Sequence, residues 1–164
     1  RVLVIDADMR KGHAHHAFGG QSANGLSDVL SGRSTLQAQV RVSNIEGLSY
    51  ISRGMAPPNP SELLMGERFA QLLAEAEQQY DLVIVDTPPV LAVTDPAIVG
   101  RYCGTTLLLA RFELNTVKEL QQTVRRLEST GVVVKGAILN AMEKKAASSY
   151  GYGYYQYSYK SVAE

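Results

Sequence analysis

The chain has 164 residues, 45% of them hydrophobic, which suits one buried core and a single domain. Sixteen Lys and Arg balance sixteen Asp and Glu, so no electrostatic pull toward nucleic acid or an anionic membrane follows. Cys103 is the single cysteine, which excludes an internal disulfide and favours a reducing compartment.

No apolar run approaches the ~20 residues of a membrane helix, and no signal peptide is visible. The stretch reads as soluble and cytoplasmic, with any membrane spans of a parent protein lying elsewhere.

In chain order, Val2-Leu3-Val4-Ile5 opens the sequence as an apolar run of strand formers. A run apolar at every position suits a strand buried on both faces of a parallel sheet. Ser31-Gly32 is a helix-stop signal and Leu48–Ser52 a weaker strand. Asn59, Pro60 and Glu62 read as N-cap, N1 and N3 of a helix in a capping-box arrangement. Phe69, Leu72, Leu73 and Ala76 then mark one helix face at i, i+3, i+4 and i+7.

Leu82–Val85 is a second buried-type strand, and Asp95-Pro96 starts a short helix running to about Tyr102. Thr106–Ala110 forms a third such strand. Thr116 with Glu119 repeats the capping box before Val117, Leu120, Val124 and Leu127, with Gly131 as the stop. Val132–Val134 begins a last strand that continues through Ala137–Leu139. Strands alternating with helices predict an α/β fold with a doubly wound, mostly parallel sheet.

From about Lys144 the composition changes. Residues 148–159 hold six tyrosines, Tyr150, Tyr152, Tyr154, Tyr155, Tyr157 and Tyr159, and no aliphatic residue. With no apolar period to anchor it, 144–164 reads as an exposed, mobile tail behind a domain of residues 1–143.

Two buried-type strands run into carboxylates: Val2–Ile5 into Asp6, with Asp8 two residues on, and Leu82–Val85 into Asp86. Ligands of an open α/β sheet bind outside the C-terminal ends of its strands. If these strands are neighbours, the three acids converge at one edge and repel one another unless a cation or a proton relieves them. Mg²⁺ is the expected cation, held by one or two carboxylates plus water and substrate phosphates. Asp6 and Asp86 could instead simply cap the turns that follow. His13, His15 and His16 crowd one loop without a second cluster to complete a metal site, so an exposed loop is expected there.

Val2-Leu3-Val4-Ile5-Asp6-Ala7-Asp8-Met9-Arg10-Lys11-Gly12 resembles the Walker A′ motif of bacterial tyrosine kinases. Tyr80-Asp81-Leu82-Val83-Ile84-Val85-Asp86-Thr87-Pro88-Pro89 resembles their Walker B motif. Asn59-Pro60-Ser61-Glu62-Leu63-Leu64, Gly136-Ala137-Ile138-Leu139-Asn140 and the tyrosine cluster also stand where that family has them. The resemblance covers essentially the whole chain and is greatest to the polysaccharide co-polymerase kinases of Gram-negative bacteria.

The resemblance implies a P-loop NTPase fold of the deviant Walker type that uses ATP and Mg²⁺. Asp6 would orient or deprotonate the attacking tyrosine hydroxyl, and Asp8 and Asp86 would hold Mg²⁺. Arg10 and Lys11 would offset phosphate charge, and Tyr150 to Tyr159 would accept phosphate in trans within a ring of copies. A tyrosine phosphatase and the polysaccharide export machinery are the implied partners, and an inner-membrane protein the implied parent.

The family's phosphate-binding P-loop precedes the Walker A′ strand by about one helix, and no G-x-x-x-x-G-K-[ST] occurs in these 164 residues. The stretch is therefore expected to be a partial kinase domain, inactive alone. Where some of these kinases carry a tyrosine after Arg-Lys-Gly, this chain has His13. Two other readings stay open. One is a spatial-positioning ATPase on the same deviant Walker fold. The other is a non-catalytic module whose tyrosines are phosphorylated by another kinase.

Overall fold

The computed structural model describes residues 1–20 and 23–143. The tail expected at 144–164, with its six tyrosines, lies outside the described residues. The first strand, β1 (Val2–Asp6), pairs in parallel with β3 (Leu48–Ile51) on one side and β4 (Leu82–Asp86) on the other. A two-residue β2 (Arg41–Val42) adds an antiparallel edge to β3. The second sheet pairs β5 (Thr106–Arg111) with β6 (Val134–Asn140), again in parallel.

The α/β, mostly parallel architecture agrees with the sequence pattern, but the sheet is divided. The two sheets run β2-β3-β1-β4 and β5-β6, so neither β4 nor β5 has a partner on its second edge among the described residues. A cavity of about 110 Å³ lies there, touched by Val85 from β4 and by Leu107 and Leu108 from β5.

Only part of the sheet is buried on both faces as its apolar runs predict. Leu3 and Ile5 are fully buried against the main core. On the opposite face Tyr50 is buried beneath Phe18, their rings 5.2 Å apart. That cover does not extend to the later strands: Leu82, Ile84, Leu107 and Leu109 are each about half exposed or more. The described residues place no helix over these side chains, which explains the difference.

The helices fill the core from one side. Phe69, Leu72, Leu73 and Ala76 form the buried face of α5 (Glu67–Gln79), as their spacing predicts. The helix signalled by Asn59 is a separate α4 (Pro60–Met65), because the extended backbone of Gly66 (ψ 153°) interrupts the run. Asn59 does not cap it. Its amide instead donates to the Glu62 carboxylate at 2.7 Å, leaving the helix N–H groups without that acceptor. Thr116 does cap α7 (Val117–Glu128) in a complete capping box with Glu119, and Leu127 is its fully buried residue.

Two short helices, α2 (Leu26–Leu30) and α3 (Leu36–Gln39), complete the core beside β3. The helix begun at Asp95 is α6 (Asp95–Gly100). Gly32 and Gly131 adopt the left-handed backbone (φ 77° and 84°) expected of helix-stop residues.

Candidate active site

The register of β1 and β4 decides where the acids go. Asp6 and Asp86 are directly paired Cα neighbours at the C-terminal ends of adjacent parallel strands. In a parallel pair such residues point to the same face, so their carboxylates share one edge of the sheet. The backbone continues that pairing one step further, the N–H of Ala7 donating to the carbonyl of Asp86 at 2.8 Å. Asp8 lies in the loop that follows. The sequence-predicted convergence of Asp6, Asp8 and Asp86 is thus present in the structure.

The loop after β1 is shaped by its own polar atoms. One oxygen of Asp8 accepts the N–H groups of Arg10 (3.1 Å) and Lys11 (2.9 Å), a local turn that an aspartate makes readily. The N–H of Gly12 donates to the Asp8 carbonyl at 2.7 Å and closes the loop. Here glycine is required by space: a Cβ at position 12 would fall on the Asp6 carboxylate. The chain then enters α1 (Ala14–Ala17), whose first N–H donates to Asp6 Oδ2 at 3.1 Å.

Asp6 is fully buried, and its Oδ1 has no hydrogen-bond partner among the described residues. Burial, followed by the charges of Asp86 and Asp8, pushes its carboxyl up to about 6, although the Ala14 N–H opposes the shift. Asp86 is open to solvent on one side, yet the surrounding protein desolvates its carboxyl. With the nearby Asp8 charge this pushes it above the ordinary carboxylate range. Three mutually repelling acids and an orphaned buried oxygen make a site that gains by taking up a cation. Among the described residues no three His, Cys, Asp or Glu side chains could hold a metal ion by themselves. A cation taken up there would draw the rest of its ligands from water or a bound phosphate.

The two basic residues separate. Lys11 is exposed at the loop, where a phosphate could approach it. Arg10 is turned the other way: its Nε and Nη2 donate to Asp95 at 2.9 and 3.3 Å, and Nη2 also reaches Ser61 at 3.2 Å. Asp95 and Ser61 were not among the sequence-predicted site residues. Asp95 opens α6 before Pro96, and Ser61 follows Pro60 in the first turn of α4, within the Asn59–Leu64 motif.

The histidines differ from expectation. They form a helical turn in which His15 is buried and the rings of His15 and His16 lie 4.1 Å apart. The segment runs on to Phe18, whose ring packs against Tyr50. Burial and the neighbouring His16, His13, Arg53 and Arg41 hold the His15 imidazole below its ordinary pKa.

A scan against protein-family models returned no match. The tyrosine-protein kinase Wzc of Salmonella typhimurium is 50% identical over 161 residues, an alignment covering 98% of this chain and 22% of Wzc. The chain thus spans about a fifth of the length of the curated relatives it matches. Among solved structures, the kinase domain of Escherichia coli tyrosine kinase ETK superposes with a TM-score of 0.86 at 52% identity, covering 94% of this chain and 60% of that one. The VpsO kinase domain superposes with a TM-score of 0.81 at 31% identity and is covered over 70% of its length. The septum site-determining protein MinD of Pyrococcus horikoshii shares the fold at a TM-score of 0.67, with only 17% identity. High identity across nearly all of the chain, to relatives and to solved kinase domains alike, places it: the chain belongs to the bacterial tyrosine kinase family.

Proposed function

We propose that this chain is the acidic, metal-handling part of a protein-tyrosine kinase that uses ATP and Mg²⁺ to phosphorylate the C-terminal tyrosines of another copy of itself. The observation that carries the reading is the convergence of Asp6, Asp8 and Asp86 at the ends of β1 and β4, in a chain half identical to a tyrosine kinase.

Asp8 and Asp86 would hold the magnesium ion, and Asp6, buried behind them, would orient or deprotonate the attacking phenol. When bound, Mg²⁺ supplies charge neutralisation for the transferring phosphoryl group, the main need of a reaction governed by positioning and electrostatics. Lys11 would add positive charge at the open side of the site. Arg10, tied to Asp95, serves the loop instead. The glycine-rich phosphate cradle would come from chain outside these residues, its strand seated between the unpaired edges of β4 and β5.

Tyr150, Tyr152, Tyr154, Tyr155, Tyr157 and Tyr159 would be the acceptors. Each phosphate adds about −1.5 to −2 charges at neutral pH. Six would therefore load a near-neutral domain with roughly −9 to −12, driving tails away from the acidic sites of neighbouring copies in a ring. A tyrosine phosphatase would reset the cycle. By the same family membership the whole protein would sit at the inner membrane and regulate polymerisation and export of capsular or extracellular polysaccharide. No helix among the described residues is long and apolar enough to cross a membrane, so any span would lie elsewhere.

The experiment is to incubate the full-length protein with ATP and Mg²⁺ and map phosphotyrosine by mass spectrometry. Phosphate on the 150–159 tyrosines is the expected result. Release of inorganic phosphate with no phosphotyrosine would instead support a positioning ATPase.

A further inference from the structure

Three stretches far apart in the sequence meet at one buried carboxylate. Asp95 opens α6 and is fully buried. Ser61, in the first turn of α4, donates its hydroxyl to Asp95 Oδ1 at 2.6 Å. Arg10, from the loop after β1, closes the group with two charge-assisted bonds to Asp95, one to each oxygen. Burial alone would raise the Asp95 carboxyl; the hydrogen bonds from Arg10 and Ser61 outweigh that and hold it below the ordinary carboxylate range. A buried carboxylate with these partners is a fixed anchor, because moving any of them leaves an uncompensated charge.

Arg10 is gripped at its backbone as well. Its carbonyl accepts Arg53 Nη1 at 3.1 Å, and its N–H donates to Asp8 Oδ1. The Asp8 carboxylate therefore takes its place from the backbone of residues 10 and 11. That backbone is held by a guanidinium locked onto Asp95.

We infer that Asp95, with Ser61, is a positioning residue for the kinase reaction, fixing the metal-binding carboxylate of Asp8 through Arg10. The inference rests on the reading of Asp8 as a magnesium residue. It assigns Arg10 to the architecture of the loop, not to phosphate. The planar fork is what the geometry uses, so lysine at position 10 would keep the charge and lose the double contact.

The test is the Mg²⁺ concentration giving half-maximal tyrosine self-phosphorylation in the full-length kinase, measured on equal amounts of folded protein. Asp95→Asn and Ser61→Ala are each expected to raise it about tenfold or more, with activity largely restored at saturating Mg²⁺. Ser61→Thr, which keeps the hydroxyl, should stay near wild type. Ser61→Ala removes only a hydroxyl and gives a reading even where Asp95→Asn fails to fold. Activity losses that track folded protein alone, with the Mg²⁺ requirement unmoved, would overturn the inference while Asp8→Asn remained inactive. An Asp8→Asn enzyme behaving as wild type would overturn the magnesium reading, and this inference with it.

Discussion

Asp86→Asn in the complete kinase is expected to lower tyrosine self-phosphorylation by at least about 100-fold while leaving the fold in place, and Asp8→Asn should do the same. A lost electrostatic contact at a transferring group typically costs factors of about 10²–10³, and here the change also weakens the proposed magnesium site. The fold should survive because neither carboxylate holds it together. Asp86 is exposed, and its carboxyl is pushed upward by desolvation and by Asp8, so its charge opposes the folded state. Asparagine also retains the oxygen with which Asp8 accepts the N–H groups of Arg10 and Lys11. Phosphotyrosine blotting with a thermal melt on each variant checks both halves. Near-normal phosphorylation in a folded Asp86→Asn protein would remove that residue from the site.

Asp6→Asn should abolish activity and at the same time stabilise the domain in the absence of divalent metal. Its carboxyl rises from an ordinary 3.8 to about 6 on folding. A carboxyl raised in the folded state binds its proton more tightly there, so stability falls as pH climbs from about 4 to 6. Above that window the ionised Asp6 costs the fold roughly 2–3 kcal/mol, because a tenfold change in proton affinity between the folded and unfolded states is worth about 1.4 kcal/mol. Removing the charge recovers that amount, a gain of several degrees in melting temperature for a domain of this size. The advantage should shrink as pH falls below 6 and vanish below about 4, where wild-type Asp6 is protonated in both states. Asp95 works with the opposite sign. Held low, it contributes stability above the ordinary carboxylate range that is lost as pH falls through its depressed value. Melts of wild type and Asp6→Asn from pH 4 to 8 in chelator isolate the Asp6 contribution, because Asp95 loses its own only below that range.

Much of this was legible in the sequence because the decisive residues sit next to their signals. Apolar runs ending in Asp6 and Asp86 announce strands whose C-terminal ends carry charge, and parallel pairing did the rest. The helix face of Phe69, Leu72, Leu73 and Ala76 and the Thr116 cap were likewise written locally. Less visible was anything set by partners distant in sequence. Asp95 looks like an acidic residue opening a helix before a proline; its partner Arg10 lies 85 positions away. Arg10 is given a phosphate by the family resemblance, and only packing shows where its guanidinium turns. Asn59 has the right residue type for a cap, but Glu62 took its amide. The exposure of Leu82, Ile84, Leu107 and Leu109 could not be read from their apolar runs, since burial depends on what covers the sheet.

The central claim, that the acidic site of one copy phosphorylates the tail of another, is tested most directly by mixing two disabled variants of the full-length protein. One carries Asp86→Asn with its tail intact; the other keeps the wild-type site but ends at residue 143. With ATP and Mg²⁺, neither alone should gain phosphotyrosine at positions 150–159, and the mixture should phosphorylate the tail of the Asp86→Asn protein. A mixture whose tail tyrosines stay unmodified, while the wild type modifies its own, would contradict transfer between copies.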